Sequence, residues 1–142
     1  MFASGQIWGA SMSRRELREQ IFKLLFRVEF NSLEDMPEQE ALFFEQEDAA
    51  EGEDAEYVSD KYNKICQLLS EIDAMLDEQA KGWNTGRMSK VDLTILRLAV
   101  YEIKYDDSVP VSVAINEAVE LAKKFGQDAS SGFVNGILAK FA

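Results

Sequence analysis

The chain is predicted to be all-α, with about seven short helices in two small helical sub-bundles. Three observations lead there. Apolar residues recur at three- and four-residue spacing in successive stretches, no run alternates apolar and polar residues as a half-buried strand would, and no hairpin signal or internal repeat occurs. A length of 142 residues, 46% of them apolar and 29% charged, suits one globular domain with a real core.

The first helix is expected over about 13–30. Ser13 is a good N-cap, Glu16 three residues on completes a capping box, and Leu17, Ile21, Leu24, Leu25 and Val28 follow at helical spacing. Asn31 and Ser32 punctuate the chain. A second helix is expected from Pro37, in the first helical position, to about Asp48, with a thin stripe of Ala41, Leu42, Phe43 and Phe44. Residues 49–54 read as an acidic loop around Gly52. The periodic segment with Tyr57, Val58, Tyr62, Ile65, Cys66, Leu69, Ile72, Met75 and Leu76 divides into helices over about 55–71 and 73–81, with Asp73 capping the restart. Gly82–Arg87 is turn-rich, and Trp83 is expected to plug the junction.

Ser89 and Asp92 space a looser capping box that opens the next helix, about 89–105. That helix is apolar almost all round, so it should be the most buried. Asp106, Asp107 and Pro110 end it. A helix over about 111–125 carries Ala114, Ile115, Ala118, Val119 and Ala122 on one face and stops at Gly126, a natural C′ residue. The last, about 129–140, packs Val134, Ile137, Leu138 and Phe141.

Residues 1–11 precede a second methionine, Met12, and are read as a disordered tail, a mis-set start or a cloning remnant, leaving residues 12–142 as the single domain. The first ten residues lack the basic region of a secretory signal, and no apolar run approaches the roughly 18 residues of a membrane span. The lone Cys66 excludes an internal disulfide and fits a reducing cytoplasm.

The residue inventory argues for binding over catalysis. Histidine is absent, which removes the commonest general base and metal ligand, and one cysteine cannot make a zinc site without it. No Walker or Rossmann glycine pattern and no calcium loop occurs, so neither an enzyme nor a cofactor is expected. The net charge of −11 at first opposes nucleic acid. Its distribution reverses that impression. Residues 34–57 hold eleven acids and no Lys or Arg, and elsewhere fifteen acids face fifteen basic residues.

Helix one is the most informative element. Arg14, Arg18 and Phe22 lie along one line of its wheel, and Arg15, Phe22 and Phe26 along an adjacent one. Arginine forks fit phosphates and exposed Phe stacks on unpaired bases. Periodicity alone favours the other reading, in which Phe22 and Phe26 are a widened core stripe and the arginines balance Glu16 and Glu19. Phe125, before the helix-ending Gly126, and Phe133, at the edge of the last helix's stripe, are open to the same two readings. Ser130 and Ser131 can cradle an anion at a helix start or serve as an ordinary cap. Arg97 interrupts the most apolar helix and reads as structural, with Glu117 or Glu102 as partner.

From the helix at 89 onward the residues resemble a known family: Ile95-Leu96-Arg97-Leu98-Ala99-Val100-Tyr101-Glu102, then Pro110, then Ala114-Ile115-Asn116-Glu117-Ala118-Val119-Glu120-Leu121-Ala122-Lys123, Phe125-Gly126 and Phe133-Val134-Asn135-Gly136-Ile137-Leu138. This ordered series is similar to the NusB family of transcription antitermination factors, and the similarity runs from about Ser13 to Ala142. The resemblance implies two small helical bundles and binding of the single-stranded boxA element of ribosomal RNA leader transcripts. It implies two further partners: NusE, the small-subunit ribosomal protein, and the RNA polymerase antitermination complex. Carried over by position, it implies RNA contacts at Arg14, Arg15, Arg18, Phe26, Phe125 and Phe133 and a protein-partner contact at Asp92. The family's acid at the position of Ala129 is absent here, with Asp128 beside it.

Overall fold

The computed structural model describes residues 11–82 and 84–142, so the reading of residues 1–10 as a tail and of Trp83 as a plug lies outside the described residues. Seven α-helices and three short 3₁₀ turns occur among the described residues, and no strand. The helices are α1 (Arg14–Phe26), α2 (Met36–Phe44), α3 (Gly52–Gln67), α4 (Leu69–Gln79), α5 (Lys90–Tyr105), α6 (Val111–Phe125) and α7 (Ser130–Leu138). The chain divides into two compact units, with the boundary between Tyr62 and Asn63 inside α3.

In the first unit, α1 buries Ile21, Phe22, Leu24 and Leu25, α2 buries Met36 and Phe43, and α3 buries Val58 and Tyr62. Helix α1 is shorter than its periodicity predicts. After Phe26 the chain tightens into a 3₁₀ turn over Arg27–Glu29, because the Arg27 carbonyl accepts from Phe30 N–H at 3.1 Å and from Asn31 Nδ2 at 2.9 Å. Helix α2 begins one residue before Pro37, ends at Phe44 rather than near Asp48, and leaves Ala41 and Leu42 exposed. Arg27 holds it in place, donating to the Gln39 carbonyl and side-chain oxygens at 3.2 and 3.3 Å with its guanidinium 5.4 Å from the centre of the Phe43 ring.

The acidic loop lies earlier than predicted, over residues 45–51 rather than 49–54, and is better anchored than its composition suggests. Ala49 and Ala50 are buried. Gln20 on α1 accepts from Ala50 N–H at 2.9 Å and donates to the Asp48 carbonyl at 3.2 Å, so one amide satisfies both polarities of a backbone that has left the helix. Gly52 turns the chain into α3 at φ +56°, a left-handed conformation that glycine adopts without a Cβ penalty.

In the second unit, α5 packs against α4, α6 and α7. As expected it is the most buried helix, with every residue from Asp92 to Glu102 inside. The break between α3 and α4 falls at Leu68, not near Asp73. Asp73 is therefore no cap. It lies within α4, where its carboxylate takes both prongs of Arg97, Nε to Oδ1 at 2.9 Å and Nη2 to Oδ2 at 2.8 Å. Helix α6 ends at Gly126 as predicted, but the position calls for glycine for another reason. Its φ of −93° is open to any residue, whereas a Cβ there would come within 2.5 Å of Ser130 Oγ. Close approach, not a left-handed turn, requires the glycine.

Candidate nucleic-acid interface

The start of α1 is fixed by its capping box. Glu16 N–H donates to Ser13 Oγ at 3.1 Å, and Ser13 N–H donates to Glu16 Oε1 at 2.8 Å. Hydrogen bonding to the Glu16 carboxyl, from the Ser13 backbone N–H first and the Ser13 side chain second, holds it below its usual range. Ahead of the cap, Met12 N–H donates to Asp54 Oδ2 at 2.8 Å, tying this end of the helix to the first turn of α3.

Arg14 and Arg15 stand exposed on the first turn of this capped helix. Arg18, on the next turn, is only 7% exposed. The predicted trio is thus divided into two outward guanidiniums and one buried one. The aromatic stripe is divided as well. Phe22 is core, at 3% exposure, and Phe26 is half-buried, stacked on Phe22 with ring centres 6.0 Å apart. Phe26 also meets Phe30 edge-on at 5.2 Å, and Phe30 is 61% exposed. Phe30 went unread in the sequence, although its spacing of four from Phe26 and eight from Phe22 was the available signal.

In the second unit, Asp92 occupies the first turn of α5, and its N–H donates to the Ser89 hydroxyl oxygen at 3.1 Å, as the spacing predicted. Its side chain is buried, and Oδ1 has no hydrogen-bond partner among the described residues. Phe125 is half-buried at the end of α6, with Lys124 Nζ 5.5 Å from its ring centre. Phe133 is half-buried on α7 and lines a cleft of about 330 Å³ with Lys81, Gly132, Gly136, Ile137 and Lys140. The two lysines were not singled out in the sequence, because they enter the cleft from positions far apart along the chain.

Ser130 does not offer the anion cradle that its place at a helix start suggested. It is buried, and its hydroxyl oxygen accepts from Gln127 N–H at 3.0 Å beneath Gly126. No group of three or more His, Cys, Asp or Glu positioned for a metal ion occurs among the described residues. No helix among them is long and apolar enough to cross a membrane.

Fold and surface together define a class: an all-helical domain that displays arginines and aromatic rings on short helices. Residues 15–142 match the NusB family. The chain is 51% identical to the transcription antitermination protein NusB of Agathobacter rectalis, over 92% of this chain and all of that one. Among solved structures, NusB of T. maritima is 35% identical with a TM-score of 0.82, covering 94% of this chain and 92% of that one. The fold is also shared, at 23% identity and a TM-score of 0.78, with a chain from a structure of the antitermination factors NusB and NusE in complex with dsRNA, covering 90% and 94% of the two. The chain belongs to the NusB family.

Proposed function

We propose that the chain is an RNA-binding transcription antitermination factor that binds the boxA element of ribosomal RNA leader transcripts together with NusE and helps RNA polymerase resist premature termination in the cytoplasm. Family membership supports this reading, and the observation that carries it is the capped start of α1 with Arg14 and Arg15 exposed. A fixed helix start presents the two guanidiniums at defined positions, and their planar forks suit phosphate oxygens. Arg18, at 7% exposure, offers RNA much less surface than its two neighbours. Phe26, Phe125 and Phe133 each keep part of a ring exposed for stacking on unpaired bases. Asp92 serves the protein partner.

Replacing Arg14 and Arg15 together by Ala tests this. Each phosphate contact contributes about −0.7 to the slope of log affinity against log salt for a single strand, so the variant should lose between about 1 and 2 from the magnitude of that slope. Its thermal stability should stay within about 0.5 kcal/mol of the parent, as for other exposed positions. An unchanged slope in a fluorescence titration contradicts the assignment.

A second reading, resting on the protein-partner contact that the resemblance assigns to Asp92, is a helical protein-interaction adaptor in which RNA is held mainly by the partner. Binding of boxA RNA in preference to scrambled RNA by the isolated chain rejects that version.

A further inference from the structure

The cleft in the second unit owes its shape to α7. Gly132 and Gly136 stand one turn apart on that helix beside Phe133 and Ile137, and a Cβ built at either glycine meets no atom within 4 Å. Two glycines weaken a helix of nine residues, and what they provide here is room. Bare helix backbone, the half-buried Phe133 ring and Ile137 make an apolar floor. Cations stand at the rim. Lys81 is exposed, and Lys140 Nζ donates to the Gln79 carbonyl at 2.9 Å, which anchors the ammonium and leaves two of its three N–H donors for another acceptor. In a chain of net charge −11, this cleft is lined by two lysines and no acid. The volume of about 330 Å³ falls at the lower end of the range for small-molecule sites.

We propose that this cleft is a single-nucleotide subsite. A base lies against the surface formed by Gly132, Phe133, Gly136 and Ile137, and its phosphate is held by Lys81 and Lys140. The assignment rests on the RNA-binding reading above and adds to it a place where one nucleotide is seated, with four residues that no periodicity pointed to. A free phosphate would use the lysines and leave the apolar floor uncovered, whereas a nucleotide uses both.

The test fills the groove without touching its charge. Gly132→Leu and Gly136→Leu, singly and together, place side chains in the open cleft, and leucine is the better helix former, so the melting temperature should hold or rise. Affinity for a fluorescein-labelled boxA oligoribonucleotide, measured for the chain alone and with NusE, is expected to fall about ten- to a hundredfold, the effect of one base no longer stacking. The salt slope should not change. Lys81→Gln with Lys140→Gln should instead reduce that slope by about 0.7 for each phosphate left without its lysine. Leucine variants that bind the oligonucleotide as the parent does, while Arg14→Ala with Arg15→Ala still weakens it, overturn the subsite and leave the RNA-binding reading standing. Leucine variants that lose NusE and keep RNA assign the cleft to a protein partner and also overturn the proposal. A parent chain that binds no RNA, alone or with NusE, overturns both readings together.

Discussion

A guanidinium inside an apolar helix is stable only when a carboxylate takes its donors, and Arg97 satisfies that condition through Asp73. The pair is bidentate and largely shielded, with 10% of the Arg97 side chain and 26% of the Asp73 side chain exposed. Removing one partner strands the other. Asp73→Asn is expected to cost about 2–4 kcal/mol, somewhat less than breaking a fully buried pair because Asp73 is not fully enclosed. Urea unfolding checks this, and a midpoint shift equivalent to less than about 0.5 kcal/mol would mark the pair as superficial. The need for a partner was legible in the sequence, because Arg97 interrupts an apolar run. The role of Asp73 was not. Its spacing suggested a helix cap, and the contact with Arg97 depends on how α4 packs against α5, which neither helix's own periodicity encodes. Phe30 was missed for a simpler reason: it lies beyond Val28, the last residue of the apolar stripe.

Among the elements, α1 shows how a local signal survives folding. Ser13 and Glu16 form the capping box that their spacing announces, and its strength is linked to pH. The folded carboxyl titrates below its usual value, so its contribution to stability is fully present above the unfolded value and is lost as pH falls through the lowered folded one. Glu16→Ala should therefore melt below the parent near neutral pH, with the difference shrinking as pH drops below the ordinary carboxylate range. A difference independent of pH in circular-dichroism melts would assign the effect to helix propensity instead. The region between α2 and α3 was the least legible. Acidic composition suggested a loop around Gly52, and the buried Ala49 and Ala50 are ordinary residues that become anchors only because Gln20 reaches them from α1. Gly126 is similar. The stop was legible, but what requires a glycine there is the Ser130 side chain four residues on.

At the scale of the whole molecule, two compact helical units were foreseeable from seven short amphipathic stretches and short connections. The charge pattern was foreseeable too. Eleven acids over residues 34–57 account for the net charge of −11, and Arg14 and Arg15 lie outside that stretch on an exposed helix start. Residues that share a helix, such as Arg14, Arg15 and Phe26, could be grouped from spacing alone. The cleft of Lys81, Phe133 and Lys140 could not, because its members meet only once α7 is packed. The central claim is that this chain itself recognises RNA and that NusE completes the recognition. Fluorescence titration of the chain, alone and with NusE, against boxA and scrambled oligoribonucleotides at several salt concentrations tests it most directly. Preference for boxA by the chain alone, strengthened by NusE and weakened by salt, is the predicted result. Equal affinity for both RNAs, or a boxA preference that appears only when NusE is present, would contradict it.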